Sequence, residues 1–119
     1  MVYTIPEIPP SNNRYIGRDA RWRYQTEKRR WAALIAAYCR PRPQKPIYRA
    51  VVTIRYYFPD ARRRDPDNYS GKMILDGLVR CGVLEDDSFF CVSLRLEARK
   101  DRDNPRTEIE IVEGKNESL

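Results

Sequence analysis

At 119 residues the chain has room for one domain, since domains usually run to about 100–200 residues, and at that size one core is affordable without disulfides or metals as staples. A hydrophobic content of 41% with eight Tyr and two Trp excludes a disordered chain, and no apolar run approaches the roughly 20 residues of a membrane span. Lys and Arg number 23 against 17 Asp and Glu, giving +6, and the absence of His excludes the usual Ser-His and Cys-His nucleophiles.

Met1-Val2-Tyr3-Thr4-Ile5-Pro6 lacks the charged-then-apolar layout of a signal peptide, so the expected location is cytoplasmic. Val2 to Ile8 predicts a first strand, stopped by Pro9-Pro10, and Ser11-Asn12-Asn13-Arg14 a polar turn. From Arg21 to Cys39 the period becomes helical, with Trp31, Leu34, Ile35 and Tyr38 in one apolar stripe. Arg40-Pro41-Arg42-Pro43 breaks it.

Tyr48 to Phe58 alternates as a strand, and a charged loop, Pro59 to Asn68, follows. Lys72 to Arg80 predicts a short helix with Ile74, Leu75 and Leu78 inward and Gly82 past its end. Leu84 to Ser88 is an acidic turn. Phe90, Val92, Leu94, Leu96 and Ala98 form the apolar side of a third long strand. Asp101 to Asn104 predicts a hairpin-type loop, and Thr107, Ile109 and Ile111 a fourth strand. The β-α-β-α-β-β order implies one α+β domain over residues 1–113, a mixed four-stranded sheet with helices on one face, and a flexible tail at 114–119.

Cys39, Cys81 and Cys91 contain no Cys-x-x-Cys, and a structural zinc needs about four Cys or His ligands, so each is read as a small buried hydrophobe. Any chemistry must then rest on carboxylates, Lys, Arg or hydroxyls, with an oxygen-liking metal. The basic balance favours a polyanionic partner, nucleic acid above all.

Arg62-Arg63-Arg64-Asp65-Pro66-Asp67-Asn68 is the informative segment. Two carboxylates flanking a proline bend can converge on one point, and three arginines before them can neutralise phosphates. Mg²⁺ prefers one or two carboxylates, with waters and substrate phosphates completing its octahedron. Such an ion can orient a scissile phosphate and activate water. The bland alternative is a solvated loop in which Arg63 or Arg64 pairs with Asp65, and surface pairs contribute only about 0–1 kcal/mol. An EF-hand is excluded, because the run lacks Gly at its sixth place and Glu at its twelfth. Glu85-Asp86-Asp87 follows about 20 residues later. A strand-loop-helix-loop-strand unit is expected to return the chain to the same end of the sheet, so that Asp87 meets Asp65 and Asp67; an ordinary acidic turn is the alternative. Lys72 can reach a phosphate, or merely pair with Asp76 at i,i+4.

Together these residues resemble the RusA family of Holliday-junction resolvases. The likeness runs from Pro9-Pro10-Ser11-Asn12-Asn13-Arg14-Tyr15 through Arg63-Arg64-Asp65-Pro66-Asp67-Asn68 and Leu75-Asp76-Gly77-Leu78 to Gly82-Val83-Leu84-Glu85-Asp86-Asp87. It implies an α+β homodimer that cuts four-way DNA junctions in recombination and repair with Mg²⁺, Mn²⁺ being a substitute. It also implies that Asp65, Asp67 and Asp87 are the metal-binding catalytic acids, with Asp86 beside them. The family's catalytic lysine falls four residues after the second Asp, where this chain has Gly71; Lys72 follows and keeps the family's spacing to Asp76. Lys72 is therefore the expected catalytic cation, and Arg62, Arg63, Arg64 and Asn68 the expected DNA contacts. Two rival readings are a non-enzymatic basic DNA-binding module and a metal-dependent RNA-cleaving enzyme.

Overall fold

In the computed structural model, which describes residues 1–114, the chain forms β1 (Val2–Ile5), α1 (Ala20–Tyr38), β2 (Ala50–Phe58), α2 (Lys72–Arg80), β3 (Val92–Lys100) and β4 (Arg106–Glu113). Single 3₁₀ turns lie at Asn12–Arg14 and Pro66–Asn68. The element order is the expected one. Of the expected tail only Gly114 lies among the described residues, where its N–H donates to the Arg49 carbonyl.

One mixed sheet runs in the order β1-β4-β2-β3; β1–β4 and β4–β2 are antiparallel and β2–β3 is parallel. β2 therefore has a neighbour on each side, which suits the most apolar strand of the chain. Ala50, Val52, Ile54, Tyr56 and Phe58 are buried on its inner face, as their alternation requires, and even Thr53 on the other side is buried. The opposite face carries an ionic ladder centred on Arg55, which pairs with Glu97 of β3 at 2.8 Å and Glu110 of β4 at 2.7 Å.

Two strand expectations need correction. The Asp101–Asn104 loop closes no hairpin, because β4 returns beside β2 and not beside β3. Asp101 instead shapes that loop by accepting from the N–H groups of Asp103 and Asn104. β3 begins at Val92, not Phe90, and lies at the sheet edge. Phe90 lies in the preceding turn and is exposed, and within β3 Leu94 too remains exposed, because an edge strand has a neighbour on one side only.

α1 and α2 pack on each other over the inner face. Trp31 and Ile35 of α1, with Cys39 just past its end, form a buried stripe, whereas Leu34 is half-buried and Tyr38 exposed. The seam thus runs at i, i+4 and i+8, a slight rotation from the expected one. Cys39 and Cys91 are buried as read and Cys81 is half-buried; burial pushes the Cys39 thiol up to about 12, leaving it unreactive.

Gly77 sits where the helices touch. A Cβ there would lie 2.9 Å from Ile35 Cγ1 and 3.0 Å from its Cβ. Ile35 is a β-branched side chain, stiff in a helix and fully buried, so it has nowhere to swing. Gly77→Ala should therefore destabilise the fold. The overpacking cost of about 1–3 kcal/mol outweighs the gain of up to about 1 kcal/mol in helix propensity. Chemical denaturation measures this, and an unchanged or raised midpoint would show that the helices can part.

Candidate active site

The loop leaving β2 is braced before it reaches its acids. Arg64 lies over the Phe58 ring, 4.2 Å from its centre, and donates to Asp60 Oδ1 at 2.8 Å. The Arg62 N–H and then the Arg64 side chain, both hydrogen-bonding Asp60, hold its carboxyl below the ordinary value. Only 20% of the Arg64 side chain is exposed, against 84% for Arg62 and 88% for Arg63. Arg64 is thus a brace, and Arg62 and Arg63, which pair with Asp60 and Asp65 only at the surface, are the arginines open to a phosphate.

Pro66 opens the 3₁₀ turn, its fixed φ being suited to a first helical position. The Asn68 N–H donates to the Asp65 carbonyl at 3.0 Å and the Tyr69 N–H to the Pro66 carbonyl at 3.1 Å. Asp65 pairs with Arg63 at 3.2 Å, the bland contact foreseen for it. Asn12 donates from Nδ2 to the Asp67 carbonyl at 3.2 Å. That bond ties the N-terminal 3₁₀ turn to the acidic turn, and gives the Asn12-Asn13 motif a physical role that sequence reasoning did not supply.

Gly71 sets the start of α2. Its φ of +79° is costly for any other residue, and a Cβ would meet Ile54 Cδ1 at 2.5 Å. The turn therefore needs glycine, and a cation is displaced to the next position, Lys72, the first residue of the helix. Lys72 is 65% exposed and stands 3.8 Å from Asp76 Oδ2. Lys28 of α1 approaches the same oxygen at 3.6 Å. That oxygen is buried with no hydrogen-bond partner among the described residues. Asp87 lies against Asp76; burial, and then the Asp76 carboxyl, pushes its own carboxyl above the ordinary value. The Asp87 N–H is held by Asp86 Oδ1 at 2.9 Å.

The expectation that the crossover returns the chain to the same end of the sheet is corrected. Because β2 and β3 are parallel, the loop holding Asp65 and Asp67 follows the end of β2, while Asp87 precedes the start of β3. The polar groups are strung along α2: Asp65 and Asp67 before it, Lys72 at its start, Asp76 one turn on, and Asp87 against Asp76. Among the described residues no three acids are gathered closely enough to hold a metal. Lys28 and the Asp76–Asp87 contact were not foreseen. The available signal was helical spacing, since Tyr24, Glu27, Lys28 and Trp31 continue one face of α1 toward α2.

A basic α+β domain that presents exposed arginines and carboxylates from one braced turn, with a lysine at the next helix start, has the make-up of an enzyme acting on nucleic-acid phosphates. No curated protein matches the chain. The family model described as Endodeoxyribonuclease RusA matches residues 6–112, nearly the whole chain, and the chain belongs to that family. It is accordingly an endodeoxyribonuclease of the kind that resolves Holliday junctions. Among the described residues no helix is long and apolar enough to cross a membrane.

Proposed function

We propose that the protein cuts four-way DNA junctions by Mg²⁺-dependent hydrolysis, acting in the cytoplasm as a homodimer with one site for each of the two strands to be cut. The observation that carries this reading is the braced turn, which presents Asp65 and Asp67 beside Arg62 and Arg63 and one short step from Lys72. Carboxylate oxygens are the donors a hard cation takes, and Asp65 and Asp67 share one turn; Asp87 stands at the other end of the crossover, so a shared ion requires the two loops to close on it. Asp65, Asp67 and Asp87 would hold the ion, with Mn²⁺ as a substitute, and Asp86 orients the Asp87 backbone. When bound, Mg²⁺ neutralises phosphate charge and eases deprotonation of water. The chain's own groups do the rest. Arg62, Arg63 and Asn68 hold the strand, and Lys72 stabilises charge at the phosphate under attack.

The direct test is a labelled four-way junction incubated with and without Mg²⁺. Nicking only with metal is expected. Binding without cutting under either condition would make the protein a DNA-binding module, and faster cutting of RNA would make it a ribonuclease.

Binding should be steeply salt-dependent. Each neutralised phosphate contributes about −0.9 to the slope of log K against log salt. Arg62→Ala with Arg63→Ala should flatten that slope by about two units. Arg64→Ala should change the slope less and lower stability instead, since its guanidinium is committed to Asp60 and Phe58. An unchanged slope in the double variant would move the DNA surface elsewhere, most simply to the exposed arginines of α1.

A further inference from the structure

Between the two 3₁₀ turns and the start of α2, bordered by Asn68 and Lys72, lies a cavity of about 200 Å³ whose interior the proposed cleavage chemistry does not fill. Its walls are aromatic and stiff. Tyr56 donates its hydroxyl to the Tyr69 carbonyl at 3.0 Å, and the two rings meet edge-on at 5.7 Å. Across the cavity Tyr15 packs edge-on against Tyr24 at 5.2 Å, and both hydroxyls are buried without a hydrogen-bond partner among the described residues. Two amides share the lining. Asn12 uses one N–H on Asp67, which leaves its carbonyl oxygen free, and among the described residues the half-buried Asn68 amide has no hydrogen bond at all. Lys72 is the one cation in the lining and is largely exposed.

We infer that this cavity takes one unstacked nucleobase of the bound DNA strand, the one joined to the phosphate that meets Lys72. The inference rests on the nuclease reading for its substrate and adds the base to it. A phosphate does not suit the interior, which is neutral and apart from Lys72 offers rings and amides. The volume falls below the roughly 300–1,000 Å³ of sites for drug-sized ligands and suits a single planar ring system. Aromatic walls with amides that keep hydrogen-bonding capacity to spare match how extruded bases are held, by stacking and by hydrogen bonds to the base edge. The position also fits: Lys72 stands in the cavity lining, so a phosphate at Lys72 and a base in the cavity can belong to one nucleotide. Free amide groups distinguish one base edge from another, so the cavity makes cleavage depend on the base at that one position.

The test uses junctions carrying 2-aminopurine at one position at a time, bound without metal. A single strand position should brighten on binding, as its base leaves the stack, and Asn68→Ala should weaken that signal. With Mg²⁺, changing the natural base at that position or making it abasic should slow cutting by about 5–150-fold, the range expected for one stacked and hydrogen-bonded base. Asn68→Ala should compress the differences among bases to about threefold or less. The idea is overturned if no position brightens in a saturated complex, or if the abasic junction is cut as fast as the natural one. Brightening without cutting would leave the base site standing and remove the Mg²⁺-dependent reading. Cutting without brightening would do the reverse. Should Asn68→Ala fail to fold, the abasic junction with the unaltered protein still decides.

Discussion

Asp65→Asn, Asp67→Asn and Asp87→Asn should each abolish junction cleavage while leaving junction binding intact. A carboxamide keeps the volume of the side chain and removes its charge, so a hard-cation ligand is lost with little change in packing. Loss of one positioned electrostatic group commonly costs 10²–10³-fold in rate, about 2.7–4 kcal/mol. The local fold should tolerate all three changes. Asp65 forfeits only its pair with the largely exposed Arg63, a contact of about 0–1 kcal/mol. Asp67 is held through its backbone carbonyl by Asn12, and Asp87 through its N–H by Asp86, so neither tether depends on the carboxylate removed. Affinity should hold or tighten, because each substitution removes a negative charge that repels phosphate. Single-turnover cutting with Mg²⁺ and a binding titration without it separate the two effects. Any variant that cuts at near wild-type rate is not a ligand.

Lys72→Ala should lower the cleavage rate by about two orders of magnitude or more, with a much smaller effect on junction affinity. A lysine ammonium is a compact charge on a flexible stem, and Lys72 starts α2 with most of its side chain exposed. Its pairing with Asp76 at 3.8 Å is too long for a hydrogen bond, and Lys28 stands as near to the same oxygen. The structure therefore offers its own control. Lys28→Ala removes an equivalent partner of Asp76 from a different helix. If Lys72 serves only to neutralise Asp76, the two variants will show similar mild losses in a single-turnover assay. If Lys72 meets the phosphate, its loss will be far larger than that of Lys28. Asp76→Ala is the less telling variant, because it strips both lysines of their partner and leaves Asp87 without its neighbour.

Much of this was legible from residue order alone. The six elements, the limits of α2 at Lys72 and Arg80, and the inner face of β2 follow from local periodicity, where a side chain's direction depends only on its place in a 3.6- or 2-residue repeat. Membership of the RusA family was legible too, because its motifs keep their order along the chain. The need for glycine before Lys72 was not, although Gly71 was noticed as a departure; that need comes from the left-handed backbone of the turn and from Ile54, 17 residues away, whose side chain lies where a Cβ would go.

Pairing is a different kind of question, since periodicity states which face a strand buries and not which strand lies beside it. Whether β3 runs parallel to β2, and whether β4 returns beside β2 or β3, are choices between distant segments with the same alternation. Those choices left Leu94 exposed at an edge and put Asp87 at the other end of the crossover from Asp65. In the same way, Lys28 reaches Asp76 because α1 packs across α2, Asn12 reaches Asp67 because the two 3₁₀ turns meet, and tyrosines from α1, β2 and both turns enclose one cavity. Composition and spacing thus determined the parts and their chemistry, and the non-local packing of α1, α2 and the sheet decided which of them meet.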